Sequence, residues 1–393
     1  MSIKKNYKNY LKEIKKLNIS IRSIYGRNRI ALHEPTLNNK EVLMLKKCIN
    51  SGYVSSAGKY VFEFENHIKK ITKSKYAIAI INGTSAIHLA LKILGVDKND
   101  EVLIPALNFI ASSNSVIYCG AIPHFVDVSE SNFGLDPVKL EKYLNSITKI
   151  KKGICYNKKT KRIIKAIVPT HLFGHPCQIN KILQVAKKFK LAVVEDAAEA
   201  IGSYYKKKHL GTFANMGVLS FNGNKTITTG GGGIILTQNK FLADKARHLS
   251  TTAKIKNIFS PQHSEIGYNY RLPNINAALG CAQILKLKKI LQKKRNLYKK
   301  YENKLKSLKF IKLIKEPIDA KSNYWLQVIK IEKNEKFLKN KIITYNKNNG
   351  VEVRPVWKTI NNNIMYKKCP TMKTKIANSL EKKLICLPSG VKI

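Results

Sequence analysis

The stretch Ser220-Phe-Asn-Gly-Asn-Lys225, followed by Thr226-Ile-Thr-Thr229 and four glycines at 230–233, decides the reading of this chain. Upstream, Val193-Val-Glu-Asp-Ala-Ala198 reads as an apolar strand that ends on a carboxylate. Lysine is abundant here, and one lysine is ordinarily a solvated surface group. Lys225 is set apart by its neighbours. Asn222, Gly223 and Asn224 are turn formers, and the adjoining glycines let backbone approach closely. Those glycines lack the G-x-G-x-x-G spacing and lead into a strand, which argues against a dinucleotide loop.

A strand-end acid and an isolated lysine ahead of a glycine patch are the residue types that a pyridoxal phosphate (PLP) site uses. The amine links covalently to the cofactor's aldehyde, and the acid keeps the pyridine nitrogen protonated so that the ring accepts electrons. On this reading Lys225 and Asp196 carry the chemistry. The bland alternative for Asp196 is a helix cap or a structural acceptor. Asn82-Gly-Thr-Ser85 joins a strand to a helix. Its free amides and the Thr84 and Ser85 hydroxyls suit a phosphate, with plain capping as the alternative. His171, His175 and Cys177 form an H-x3-H-x-C group, but no second pair completes a tetrahedral zinc set, so no metal is expected. A loop bordering the active site is the expected role.

Around these motifs the chain alternates strands and helices from residue 76 onward. Strands are read at 77–81, 102–105, 123–128, 163–169, 191–195, 217–221 and 234–237, and helices at 85–94, 111–119, 137–144 and 178–189. Continuous apolar strands spaced by helices predict an α/β fold with a mainly parallel sheet covered on both faces. Ligands of such sheets sit at the carboxyl ends of strands, where Asp196 and the Asn82-Gly83-Thr84 turn fall. Leu11, Ile14, Leu17 and Ile21 recur at helical spacing and predict a lead-in helix within 1–28, packed on the body. Residues 29–256 then form the large domain. From 257 to 393 the texture is α+β and predicts a smaller domain, with one long helix over 274–304, a strand at 324–331, a helix near 335–349 and a strand at 351–356.

Of 393 residues, 72 are basic and 24 acidic, a formal net charge of +48. Eight of the basic residues are arginine and 64 are lysine, spread along the whole chain. Base and phosphate recognition favours the guanidinium fork, so a solvated lysine surface is expected and no specific nucleic-acid partner. The positive field would still steer an anionic substrate. Cys48, Cys119, Cys155, Cys177, Cys281, Cys369 and Cys386 are odd in number and contain no Cys-x-x-Cys, which suits a reducing compartment. No secretory leader or bilayer-spanning tract is read, so a soluble cytoplasmic protein is expected.

From about Ile30 onward the chain resembles the DegT/DnrJ/StrS family of nucleotide-sugar aminotransferases, PLP enzymes of fold type I. The resemblance rests on Gly52-Tyr-Val-Ser-Ser56, Asn82-Gly-Thr-Ser-Ala86, Pro105-Ala-Leu-Asn-Phe109, Val194-Glu-Asp-Ala-Ala198, Ser220-Phe-Asn-Gly-Asn-Lys225 and Gly267-Tyr-Asn-Tyr-Arg271. It implies a large domain with a seven-stranded sheet between helices, plus the smaller C-terminal domain. It implies that Lys225 carries the cofactor, Asp196 pairs with the pyridine nitrogen and Phe109 stacks on the ring. Thr84, Ser85 and Ser220 would hold the phosphate. Asn269 would reach the phosphate of a neighbouring subunit's cofactor, which implies a homodimer with shared active sites. Glu199 stands where many relatives place Gln beside the cofactor's phenolic oxygen. His33-Glu-Pro35, Arg354-Pro-Val-Trp357 and Leu387-Pro-Ser389 are similar to the branch that aminates C4 of a UDP- or GDP-linked 2-acetamido-4-keto-6-deoxyhexose, with L-glutamate as donor, toward bacillosamine or legionaminic acid. Other outcomes on the same fold are a dehydratase, a 3-aminotransferase or a non-catalytic regulatory homologue. Relatives that dehydrate replace the lysine with His, whereas Lys225 is present.

Overall fold

The structure, a computed structural model, describes residues 2–27, 29–255, 260, 262–332 and 336–392. The boundaries drawn at 28 and 256 fall on residues outside those described, as does Glu335. The central sheet has seven strands: β1 (Tyr76–Ile80), β2 (Glu101–Pro105), β3 (Ile122–Val126), β4 (Ile164–Ile167), β5 (Ala192–Asp196), β6 (Met216–Ser220) and β7 (Gly233–Thr237). Their spatial order is β1-β7-β6-β5-β4-β2-β3. The neighbours from β6 through β5, β4 and β2 to β3 run parallel, and β7 is antiparallel to both β1 and β6. The mainly parallel α/β architecture expected from the sequence is the one observed.

Alternation along the strands explains the two-sided burial. Ala77, Ala79, Ile234 and Leu236 pack on one face with Phe64, Phe221 and Ala277. Ile78, Ile80 and Ile235 pack on the other with Leu89, Leu91 and Ala246. Every residue of β2, β6 and β7 is buried. Local signals set the helix starts. Asn38 and Glu41 form a reciprocal capping box ahead of helix Asn39–Asn50. Asp136 caps Pro137–Ile147, whose first residue is a proline.

Three elements depart from expectation, the first being the strand read over 351–356, which is reduced to Arg354–Pro355. The helix expected over 274–304 is broken into Asn274–Ile284 and Leu287–Leu305. The break delivers the buried amine of Lys286 to the buried carboxylate of Glu41 at 2.6 Å, beside the Gln283 amide, while Leu285 is left exposed. Helical periodicity carries no trace of that ion pair. Residues 384–387 form an inner strand of a four-stranded antiparallel sheet, pairing with Gln327–Ile331 and Arg354–Pro355, although the sequence offers only four apolar residues there. The N-terminal helix Ser2–Tyr25 buries Ile14, Leu17 and Ile21 in a core shared with Leu297, Tyr301, Ile342, Ile385 and Leu387. No helix among the described residues is long and apolar enough to cross a membrane.

One close approach of backbone to backbone fixes the turn after β1 at the sheet edge. Gly233 opens β7 opposite both Ile80 and Ser220. A Cβ there would stand 2.5 Å from the Asn82 carbonyl oxygen and 2.9 Å from the Gly83 nitrogen, atoms that no side-chain rotation can clear. A Cβ on Gly231 would meet only the Ile81 carbonyl oxygen at 3.8 Å. Gly233→Ala is therefore expected to cost about 1–3 kcal/mol or more, and Gly231→Ala to stay within about 0.5 kcal/mol of the parent. Denaturant midpoints of the two variants check this.

Candidate active site

Successive side chains of β5 leave the strand in opposite directions, and this separates two adjacent acids. Glu195 is fully buried and accepts hydrogen bonds from His171 Nε2 at 2.8 Å and from the backbone amides of Gly211, Phe213 and Ala214. Burial alone would raise its carboxyl, but these donors hold it below the usual range. Asp196 points the other way. Its Oδ2 accepts from Ser112 Oγ at 2.8 Å and Thr170 Oγ1 at 3.5 Å, and its Oδ1 accepts from the Ala198 amide at 3.1 Å. Asn108 donates to both Thr170 Oγ1 and Ser112 Oγ. Four residues from the ends of β2, β4 and β5 and from helix Ala111–Tyr118 thus fix one carboxylate at the carboxyl edge of the sheet. The fixing is rigid because each hydroxyl is itself held.

Lys225 lies in the connection from β6 to β7, where its amide bonds the Asn222 carbonyl. Its side chain is 13% exposed, with Nζ 3.6 Å from Glu199 Oε1 and 4.0 Å from the centroid of the Trp325 ring. The indole Nε1 donates to the Asn224 carbonyl at 2.7 Å, which ties the ring to the lysine's own loop. Asn323 Nδ2 donates to the carbonyls of Glu199 and Ile201 and to Thr226 Oγ1. The segment 323–325 therefore closes the lysine loop against the Glu199 turn. Glu199 Oε2 accepts from the Phe173 amide at 2.6 Å, with Phe173 held at a left-handed φ of 58°. Burial pushes the Glu199 carboxyl up to about 7, against the attraction of Lys225.

The helix start near the site is capped by Asn82, whose Oδ1 accepts from the Ser85 amide at 2.8 Å. The helix read over 85–94 is corrected: it runs from Gly83 to Ile93, because Asn82 supplies the cap from its side chain. The Thr84 and Ser85 hydroxyls are thereby released from capping. Ser220 ends β6 beside them, so close that a Cβ on Gly83 would lie 3.0 Å from Ser220 Cβ. Phe109 is 49% exposed, its ring 6.0 Å from Trp357, which stacks on Phe173. Asn269 is exposed and bridged to Thr251, next to Tyr270, whose carbonyl accepts from the Ile81 amide. His171 and His175 spend ring nitrogens on Glu195 and Ser322, and among the described residues no cluster could hold a metal. Instead the 170–173 loop gives its Thr170 hydroxyl to Asp196 and its Phe173 amide to Glu199.

Sequence reasoning missed Ser112, Thr170, Asn323 and Trp325. Asn108 lay inside a quoted motif without a role. Trp325, one of two tryptophans in the chain, was the available signal, but nothing in its neighbourhood pointed to a lysine 100 residues earlier.

With this geometry in place, comparison with known proteins is informative. The DegT/DnrJ/EryC1/StrS aminotransferase family model matches residues 35–393. The chain is 36% identical over 360 residues to a GDP-perosamine synthase of Escherichia coli O157:H7, covering 92% of this chain and 93% of that one. A GDP-perosamine synthase of Vibrio cholerae is 33% identical over 363 residues, covering 92% and 94%. Among solved structures, Helicobacter pylori PseC, an aminotransferase of pseudoaminic acid biosynthesis, superposes with a TM-score of 0.82 at 25% identity, covering 92% and 93%. The chain belongs to the DegT/DnrJ/EryC1/StrS aminotransferase family of PLP-dependent enzymes.

Proposed function

We propose that this protein transfers the amino group of L-glutamate to the C4 ketone of a nucleotide-linked 4-keto-6-deoxyhexose. The observation that carries the reading is the Lys225 amine, enclosed by the Glu199 carboxylate and the Trp325 ring at the sheet edge where Asp196 also emerges. The relatives named GDP-perosamine synthase favour a GDP-linked sugar. The motifs at His33-Glu-Pro35 and Arg354-Pro-Val-Trp357 support the second reading, a 2-acetamido sugar on UDP or GDP.

The residues present fit PLP. The gap that Gly83 keeps open against Ser220, with the helix-start amides and the Thr84 and Ser85 hydroxyls around it, suits a phosphate. Asp196, oriented by its donors, would take the pyridine nitrogen, Phe109 the ring face and Glu199 the phenolic oxygen. Bound there, the cofactor supplies an aldehyde that takes up and hands on the amino group, and a ring that accepts electrons from the carbon losing its proton. Lys225 Nζ would anchor that aldehyde and, once displaced, serve as the base that moves the proton. The carboxylate of Asp196 would hold the ring positive while charge develops. Trp325 and Asn323 keep the lysine loop closed and limit water at Nζ.

Asn269 supports a homodimer, since an exposed strand-like segment is available to a second copy. Val42, Leu43, Tyr53 and Phe62 are exposed apolar side chains that such an association would cover. The cysteines are all unpaired, which supports the cytoplasm as its compartment.

Lys225→Ala is expected to fold and to lose turnover by about 10²–10⁴-fold or more. The assay is amino transfer from L-glutamate to a panel of GDP- and UDP-linked 4-keto sugars, read by product mass. Turnover at the parent rate in that variant would overturn the assignment. Glu199 yields a prediction on stability. Its carboxyl rises from an ordinary 4.5 to about 7 in the fold, so between these values the folded state must hold a proton that the unfolded state releases. Stability therefore falls as pH rises from 4.5 to 7 and is level above. Glu199→Gln removes this penalty. In the cofactor-free protein its advantage over the parent should be absent near pH 4.5 and open to about 3 kcal/mol by pH 7. Thermal midpoints across that range test it; an advantage independent of pH would assign the ionisation elsewhere.

A further inference from the structure

Lys294 is a buried amine that the proposed transfer does not use. It is 1% exposed and lies on helix Leu287–Leu305. Its three hydrogen-bond partners are neutral: the carbonyl oxygen of Trp325 at 3.0 Å, that of Ser389 at 2.9 Å, and His33 Nε2 at 2.9 Å. A buried ammonium held only by neutral groups is incompletely compensated. Burial brings Lys294 down to about 7. Burial and the charges of Lys294 and Lys225 hold His33 well below its ordinary value, so the imidazole is neutral and within electrostatic reach of the catalytic lysine. Its other nitrogen, Nδ1, is buried and has no hydrogen-bond partner among the described residues.

These contacts fix what Nδ1 presents. With Lys294 protonated, two of the ammonium's hydrogens go to the two carbonyls and the third to His33 Nε2, which leaves the imidazole's one hydrogen on Nδ1. The result is an unpaired N–H donor beside an under-compensated cation, joined to the Lys225 site through Trp325, whose ring covers Nζ of Lys225 and whose carbonyl binds Nζ of Lys294. A donor and a cation so placed recognise an anionic oxygen.

We propose that His33 contacts substrate, its Nδ1–H binding an anionic oxygen, either a carboxylate of the amino donor or a phosphate of the sugar nucleotide, with Lys294 as the positioning residue that fixes the tautomer. The assignment deepens the aminotransferase reading and rests on it. The arrival of an anion also supplies the counter-charge that Lys294 lacks, so binding and protonation of this amine reinforce each other.

The test compares His33→Ala, His33→Gln and His33→Asn in the cofactor-loaded protein. Asn returns an N–H near the place of Nδ1, and Gln places one nearer Nε2. Dissociation constants for 2-oxoglutarate and for GDP, by calorimetry, separate the two sources of anionic oxygen without requiring turnover. KM for L-glutamate and for the sugar nucleotide are measured alongside. Loss of one charge-assisted hydrogen bond is expected to weaken one of the two ligands by about tenfold in the Ala and Gln variants. The Asn variant is expected to stay within about threefold of the parent, with the effect in KM rather than kcat. Unchanged affinity for both ligands in His33→Ala would overturn the proposal, as would an Asn variant no better than Gln. Should the Ala variant fail to fold, the Asn and Gln pair still decides. A parent that binds these ligands but transfers no amino group would count against the aminotransferase reading and leave the His33 contrast legible.

Discussion

A lysine amine withdrawn from water has to be compensated, and much of the site's construction reflects how that is done at Lys225. Glu199 supplies the nearby negative charge, the Trp325 ring the polarisable face, and the glycine-rich connection to β7 the slack that lets the loop reach both. Each of these has its own support. Glu199 is fixed by the Phe173 amide, and Trp325 by the Asn224 carbonyl. Asn323 ties the two supporting segments together. The compensation is incomplete: Glu199 is buried deeply enough to hold its proton to about pH 7, so the charge beside the amine varies within the ordinary working range.

The sheet explains why these groups meet at all. Asn82, Asn108, Thr170, Asp196 and Ser220 follow or end five different strands, and the shared direction of those strands brings them to one edge. Asn82, Asp196 and Ser220 were legible in the sequence as polar residues at the ends of apolar runs, whereas Thr170 and the role of Asn108 were not. The strand pattern, Lys225, Asp196 and the Asn82 turn could all be read that way. Trp325, Asn323 and Lys294 could not. They come from the C-terminal third, where strands are short and antiparallel, and their relation to Lys225 exists only after the chain has folded back. The helix break at Leu285 and Lys286 was hidden for a related reason: it serves a buried pair with Glu41, a partner more than 240 residues away. The sugar was legible only coarsely. Motifs around His33 and Arg354 pointed to a 2-acetamido substrate, whereas two relatives are named GDP-perosamine synthase.

The charge imbalance takes on a structural meaning once burial is known. Among the described residues Glu41, Glu65, Glu101, Asp127, Glu195, Asp196 and Glu199 are buried, seven of the 24 acidic residues, and each is held by hydrogen-bond donors or cations. Glu65 alone takes Arg271 at 2.9 Å and Arg247 at 3.0 Å, joining helix Lys59–Thr72 to helix Lys240–Ser250 and to the segment that bridges Ile80 at the end of β1. Against these seven buried acids only two lysines, Lys286 and Lys294, are buried among the described residues, so the surface is more cationic than the composition already states. A nucleotide sugar and the proposed dicarboxylate amino donor are both anions, so the field that results would draw both inward, most strongly at low salt.

The two ends of the chain also belong to the site. The N-terminal helix, the strand 384–387 and helix Leu287–Leu305 share one core, and from that helix Lys294 binds the Trp325 and Ser389 carbonyls and His33. Tyr301 anchors the same helix to the Pro388 carbonyl from within it. The Trp325 ring over Lys225 is thus held from two sides, by the Asn224 carbonyl in the lysine's own loop and, through the Trp325 carbonyl, by Lys294 on this helix. A cavity opened at Ile14 or Leu17 would loosen the helix that carries Lys294 before it disturbed the parallel sheet, because those side chains contact the former and not the latter. Stability of the terminal segments and the setting of Lys294 are in this way one problem, and the sheet alone does not solve it.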